Sequence, residues 1–232
     1  MQAIAMNELK TTLFGESLLF GLLGKIIYTE PDKAWLESLI RDDVFIEVPF
    51  AAEQNETMHG VELLLRWTKE NKEGLDPAQF KAVKDDHLNL FIGLNKVPAP
   101  MWESVYTSEK RLLFQEQTLK IREWYARFGL QAERINNEPD DHIGLELSFV
   151  AHLASLAFQA AEQGDEMELN ELLQAQRDFL FNHLLCWGPA WAKLVKKHAA
   201  TDFYRGIAHL THGALFAAAE ALQIKMPKEV SL

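Results

Sequence analysis

Residues 130–146 hold five acids, Glu133, Glu138, Asp140, Asp141 and Glu146, against one base, Arg134. Pro139 pins the backbone ahead of Asp140 and Asp141. A carboxylate at that point can accept from the free N–H groups that open a helix, and it opposes the positive helix end. His142 and Glu146 stand four apart and share a helix face. Two readings follow from these residues. One is a capped helix with an acidic first turn. The other is an anionic lip at the mouth of a groove between two lobes, able to take an Arg guanidinium in two-pronged fashion.

Other residue patterns argue against familiar chemistries. Gly21-Leu22-Leu23-Gly24-Lys25-Ile26 has the wrong glycine spacing for a phosphate loop, no hydroxyl residue and no preceding strand. Its glycines read instead as points of close helix approach. A di-iron bundle needs two E-x-x-H pairs, and only Glu56-Thr57-Met58-His59 is present. His209 and His212 share a face but have no carboxylate close by in sequence. Cys186 lies among Leu184, Leu185 and Trp187 and reads as a packed thiol. No metal and no cofactor is expected. Among the tryptophans Trp102 stands apart, since it lies in a Pro-rich loop where partial exposure is expected.

Stepping from those residues to the elements that must carry them, apolar positions recur mostly at three-and-four spacing. Helices are predicted from about Asn7 to Tyr28, after Thr29-Glu30-Pro31-Asp32 with Thr29 as cap, from near Met58, and from Asp76-Pro77. Gly93–Trp102, with Pro98 and Pro100, must be a loop. Further helices are predicted over about Ser108–Phe128, stopped by Gly129, and Asp140–Gln163, stopped by Gly164. Another is predicted over Asp165–Trp187, ended by Gly188-Pro189, followed by a short helix to Ala199. The last runs over Asp202–Leu222, capped by Thr201. Val44–Val48 is the single, short strand candidate. The predicted architecture is all-α, about nine to ten helices in two lobes: residues 1–130, a connector at 131–139, and residues 140–232.

The formal charge of −11 repels phosphate backbones and anionic lipid, so nucleic acid is not an expected partner and a cationic peptide is. The lone cysteine fits a reducing compartment. No basic segment precedes an apolar run at the N-terminus, and no apolar stretch approaches the ~18 residues of a membrane span. The expected location is the cytoplasm, without stable membrane insertion.

Glu138-Pro139-x-Asp141-His142-x-x-x-Glu146-Leu147 resembles the E-P-x-D-H-x-x-x-E-L motif of the TorD/DmsD family of molybdoenzyme-specific chaperones. Leu90-Phe91-Ile92-Gly93, Pro98-Ala99-Pro100 and Glu103-Ser104-Val105-Tyr106 are similar to the family's L-F-x-G…P-x-P…E-S-V-Y stretch. Phe179-Leu180 with His183-Leu184, Trp187-Gly188-Pro189 and Phe203-Tyr204 match its C-terminal pattern, so the likeness covers roughly residues 10–222. The resemblance implies a TorD-like all-α bundle and no catalysis. It implies binding of the twin-arginine signal peptide and apo form of a molybdoenzyme, help with molybdenum-cofactor insertion, and delay of export until folding is complete. It also implies a domain-swapped homodimer as one assembly, with 131–139 as hinge. On this reading Glu138, Pro139, Asp141, His142 and Glu146 border the leader site. Trp102, Ser104, Tyr106 and Asp140 form a second rank, in which Asp140 also reads as a helix cap and Tyr106 as a core tyrosine.

Magnitudes divide the work. Burying on the order of 500 Å² of apolar leader gives roughly 12 kcal/mol at ~25 cal/mol/Å², against ~4–15 kcal/mol of association cost. Exposed ion pairs add only ~0.2–1 kcal/mol each. Apolar contact supplies affinity, and carboxylates supply register. Two other classes compete: a helical metal-dependent or nucleotide-hydrolysing enzyme, and an adaptor for a different client.

Overall fold

The computed structural model describes residues 2–50, 54–93, 97–108, 113, 116–132, 139–228 and 230, with side chains from residue 5 onward. Among them the secondary structure is helical: α1 (Gln2–Tyr28), α2 (Lys33–Arg41), α3 (Asn55–Glu70), α4 (Pro77–His87), α5 (Glu103–Thr107), α6 (Glu116–Arg127), α7 (Ile143–Gln163), α8 (Glu166–Phe179), α9 (Leu185–His198) and α10 (Asp202–Ala221). A π turn, Leu88–Ile92, prolongs α4, and a second, Leu180–Leu184, joins α8 to α9. Val44–Val48 forms turns, and the one β-type pairing among the described residues is the antiparallel bridge between Trp102 and His142.

Local chemistry explains most boundaries. Asp76 accepts the N–H groups of Ala78 and Gln79 at 2.7 and 2.8 Å, while the Gln79 amide oxygen accepts the Asp76 N–H at 2.9 Å. Gly129 and Gly164 sit at φ +70° and +73°, the left-handed stops that end α6 and α7. Thr201 Oγ1 accepts the Tyr204 N–H at 3.3 Å and caps α10.

Other boundaries differ from expectation. Asp32, not Thr29, caps α2 by accepting the Trp35 N–H at 2.8 Å, which leaves Pro31 ahead of the helix. The break at Gly188-Pro189 is absent, since Pro189 lies inside α9. It falls one turn after the π turn, whose wider register has already offset the ladder from which proline removes one bond. The helix expected over Ser108–Phe128 is seen as Glu116–Arg127, and Phe114 lies outside the described residues. α7 is also long and apolar enough to cross a membrane, with an 18-residue window of mean hydropathy 1.4, contrary to the expectation that no stretch would be. Its alanines alternate with Ser, His and Gln, so the sequence shows no unbroken run, and most of the helix is buried within the fold.

The chain divides into two compact units that do not follow the predicted 1–130 and 140–232 lobes. Unit 1 comprises Met1–Tyr28, Trp102–Trp187 and Ala218–Leu232, and unit 2 comprises Thr29–Met101 and Gly188–Ala217. In unit 1, α1 packs along α7, burying Leu19, Phe20, Leu23 and Ile27 with Leu147, Val150 and Ala154. The two backbones touch at Gly24 and Gly144: a Cβ on Gly144 would lie 2.8 Å from the Tyr28 N, and one on Gly24 2.8 Å from the Gly144 O. In unit 2, α3 crosses α10 in the same way at Gly60 and Gly206. There the Asp86 carboxylate accepts the N–H groups of Ala200 and Thr201 at 3.0 and 2.8 Å and so holds the start of α10.

Candidate partner-binding site

The acidic motif leads into α7 through Pro139–His142. Glu138 lies outside the described residues. Pro139 is buried, as are Asp140, Asp141, His142 and Glu146, none more than 1% exposed. The surface lip expected of Asp141, His142 and Glu146 is therefore replaced by an internal frame, because each side chain has partners within unit 1.

Asp141 Oδ2 accepts the Ser104 N–H at 2.8 Å and its Oδ1 accepts the Thr118 hydroxyl at 2.7 Å, joining α5 and α6 to the motif. The Glu103 N–H donates to the Asp141 carbonyl at 2.9 Å, alongside the Trp102–His142 bridge. His142 is the N-cap of α7: its Nδ1 accepts the Gly144 N–H at 3.0 Å, so that nitrogen carries no proton. Its ring meets those of Tyr28 and Trp102 edge-on, with centroids 5.2 and 5.9 Å apart. Asp140 does not cap the helix. Its Oδ2 accepts from Arg122 Nε and Nη2 at 3.1 and 2.7 Å, and its carbonyl accepts the Tyr125 hydroxyl at 3.1 Å.

Glu146 receives the Trp187 indole N–H at 3.3 Å on Oε2. Burial pushes its carboxyl well above the ordinary carboxylate range, and the nearby Glu103 and Asp141 charges add to that rise, so the fold favours the protonated form of Glu146. Tyr106 is half-buried and stacks tilted on Trp187 at 5.1 Å, and its phenol is pushed up by burial. Trp102 is partly exposed, as expected, and Ser104 is buried.

Glu103 and His183 had no role in the sequence reading, yet the structure joins them: His183 Nδ1 lies 3.0 Å from Glu103 Oε2, both side chains buried. Both stand inside the stretches that carry the family likeness. Their separation of 80 residues leaves no local signal that they pair. Thr118 and Arg122 were missed for the same reason.

Four polar atoms of these segments are buried with no hydrogen-bond partner among the described residues: Trp102 Nε1, Ser104 Oγ, Asp140 Oδ1 and Glu146 Oε1. Buried orphans of this kind are uncommon and cost about 1–3 kcal/mol each. Beside them is an apolar notch of about 240 Å³ lined by Tyr125, Leu130, Ala132, Leu145, Phe149 and His152. A wider groove of about 420 Å³ runs past Lys120, Trp124, Arg127 and His183.

The residues considered for metal chemistry are otherwise engaged. Glu56 Oε2 accepts from Lys196 at 2.8 Å and contacts His209 Nδ1 at 2.6 Å. Burial would raise the Glu56 carboxyl, but those two contacts outweigh it and bring the carboxyl down to about 2. Among the described residues no three His, Cys, Asp or Glu side chains are grouped to hold a metal ion.

Residues 53–193 match the family described as nitrate reductase delta subunit. The chain is 37% identical over 125 residues to the chaperone protein TorD of Vibrio cholerae, covering 54% of this chain and 55% of that one, so it spans about half the length of this relative. It is 32% identical over 173 residues to the Tat proofreading chaperone DmsD of Salmonella typhi, covering 69% of this chain and 78% of that one. A crystal structure from Archaeoglobus fulgidus, provisionally assigned as a redox enzyme maturation protein, shares 20% identity and a TM-score of 0.45 over 85% of this chain and 91% of that one, a distant likeness only. Family match and relatives agree with the motif at 138–147: the chain belongs to the nitrate reductase delta subunit family, with the TorD and DmsD chaperones.

Proposed function

We propose that this protein is a cytoplasmic maturation chaperone that binds the twin-arginine leader and apo form of a molybdoenzyme, assists molybdenum-cofactor insertion and holds back export until the client has folded. The observation that carries this reading is the kinship with a Tat proofreading chaperone over most of that relative's length.

The site we propose lies on unit 1, around Pro139–Glu146 and Trp102–Tyr106. The motif acts chiefly as scaffold: Asp141, His142 and Glu146 fix the two segments from within. A leader is a pair of guanidiniums followed by an apolar stretch, and the notch at Tyr125, Leu145 and Phe149 suits the second part. Tyr125 connects the two parts, since its ring lines the notch and its hydroxyl holds the Asp140 backbone.

Titration calorimetry with a synthetic peptide bearing two consecutive arginines and an apolar tail tests this reading. Binding that weakens when both arginines become lysines supports it, because the ammonium lacks the planar fork. Equal affinity for a scrambled peptide overturns it.

A further inference from the structure

We propose that Glu103 and His183 are positioning residues for the leader site: their buried contact holds the Trp102–Tyr106 segment in register against the motif. The proposal rests on the leader reading above.

The segment is held from two directions. On one side its backbone is tied to the motif by the Glu103 N–H on the Asp141 carbonyl, the Ser104 N–H on the Asp141 carboxylate, and the Trp102–His142 bridge. On the other side the Glu103 side chain meets His183 at 3.0 Å, and the Tyr106 ring stacks on Trp187. His183 belongs to the π turn Leu180–Leu184. A π turn adds one residue to a helical turn, is less favourable than regular α-helix, and is often kept where it aims a side chain. Here the imidazole it presents packs on Phe179, ring centroids 5.3 Å apart, and sits against Glu103.

The charges show why this contact matters. Three acids face one another in this region: Glu103 from α5, Asp141 from the motif and Glu146 from α7. Asp141 is satisfied by Ser104 and Thr118, and the Glu146 carboxyl is pushed towards its protonated form by burial. The Glu103 carboxylate has His183 as its hydrogen-bond partner, and burial pushes its carboxyl up while His183, and more distantly Lys120, pulls it back. Without His183 the buried Glu103 carboxyl would stand beside Asp141 with no hydrogen-bond partner among the described residues. The segment would then shift to hydrate it, carrying Trp102 and Tyr106 out of place.

The test compares peptide affinity and unfolding for the wild type, H183L and H183Q in the full chain. H183L should bind the twin-arginine peptide about tenfold more weakly while staying folded, and H183Q, whose amide can still donate to Glu103, should recover most of that loss. If H183L does not fold, E103L, which removes the acceptor of that contact, must show the same weakening. Variants that lose stability but bind as the wild type does would overturn the positioning role and leave the leader reading intact. A wild type that does not bind the peptide would overturn the leader reading, and this proposal with it.

Discussion

Gln176 Nε2 donates to Glu16 Oε2 at 2.6 Å, closing a contact between α1 and α8 that is sealed from solvent. Glu16 Oε1 and Gln176 Oε1 have no hydrogen-bond partner among the described residues. Burial pushes the Glu16 carboxyl up to about 7, the Gln176 hydrogen bond opposing. A pKa raised on folding means the folded state prefers the neutral acid. That stability is fully present below about 4.5 and is lost as pH rises through about 7. The shift corresponds to about 3 kcal/mol by pH 9. E16Q, permanently neutral, should match the wild type in urea at pH 4.5 and exceed it at pH 9. A wild-type unfolding midpoint that does not fall over this range would refute the assignment.

Two glycines of α1 should respond oppositely to alanine. A Cβ on Gly21 meets only Ala151 Cβ at 3.8 Å, an ordinary contact, whereas one on Gly24 runs into Ser148 Oγ and the Gly144 carbonyl. G21A should be neutral or stabilising by up to about 1 kcal/mol through helix propensity. G24A should cost about 1–3 kcal/mol through overpacking. Thermal melts of the two variants side by side decide the matter, and equal melting temperatures would remove the close helix crossing.

His142 closes the first turn of α7 through a lone pair, a task that an asparagine oxygen can take over. H142A should lower stability by about 1 kcal/mol, and H142N by only a few tenths. Should H142N keep its stability and still lose leader affinity, the imidazole also has a role in recognition; retained affinity confines it to the cap.

Glu146 and Asp141 should differ despite equal burial. E146Q resembles the protonated acid that burial favours and should lie within about 1 kcal/mol of the wild type at pH 7. D141N gives up one of two acceptor oxygens, leaving the Ser104 N–H or the Thr118 hydroxyl unmatched, and should cost about 1–3 kcal/mol. Urea unfolding of both variants measures the contrast; an E146Q as damaging as D141N would mean that Glu146 is ionised in the folded protein.

Features written in short-range spacing were legible in the sequence. Asp76-Pro77 opens α4, Gly129 and Gly164 close α6 and α7, and Thr201 caps α10, each within a few residues of its effect. The motif residues were legible as a group, but their orientation was not. Five acids in seventeen residues read as a solvated rim, because nothing nearby in the chain shows that Asp141 will meet Ser104 and Thr118, 37 and 23 residues away. The same blindness hid Glu103 and His183. Pro189 misled for a different reason: proline ends a regular helix, but a π turn one turn earlier had changed what it would have to break.

The pairing of α1 with α7 sets a constraint on biosynthesis. On the ribosome, α1 emerges before α7, which is complete only roughly 135 residues later, about 7–27 s at typical translation speeds. Over that interval the nascent chain presents Phe20, Leu23 and Ile27 with no mate. A member of a chaperone family thus passes through an early, vulnerable stage of its own, and newly made copies should depend on holding factors for as long as translation lasts.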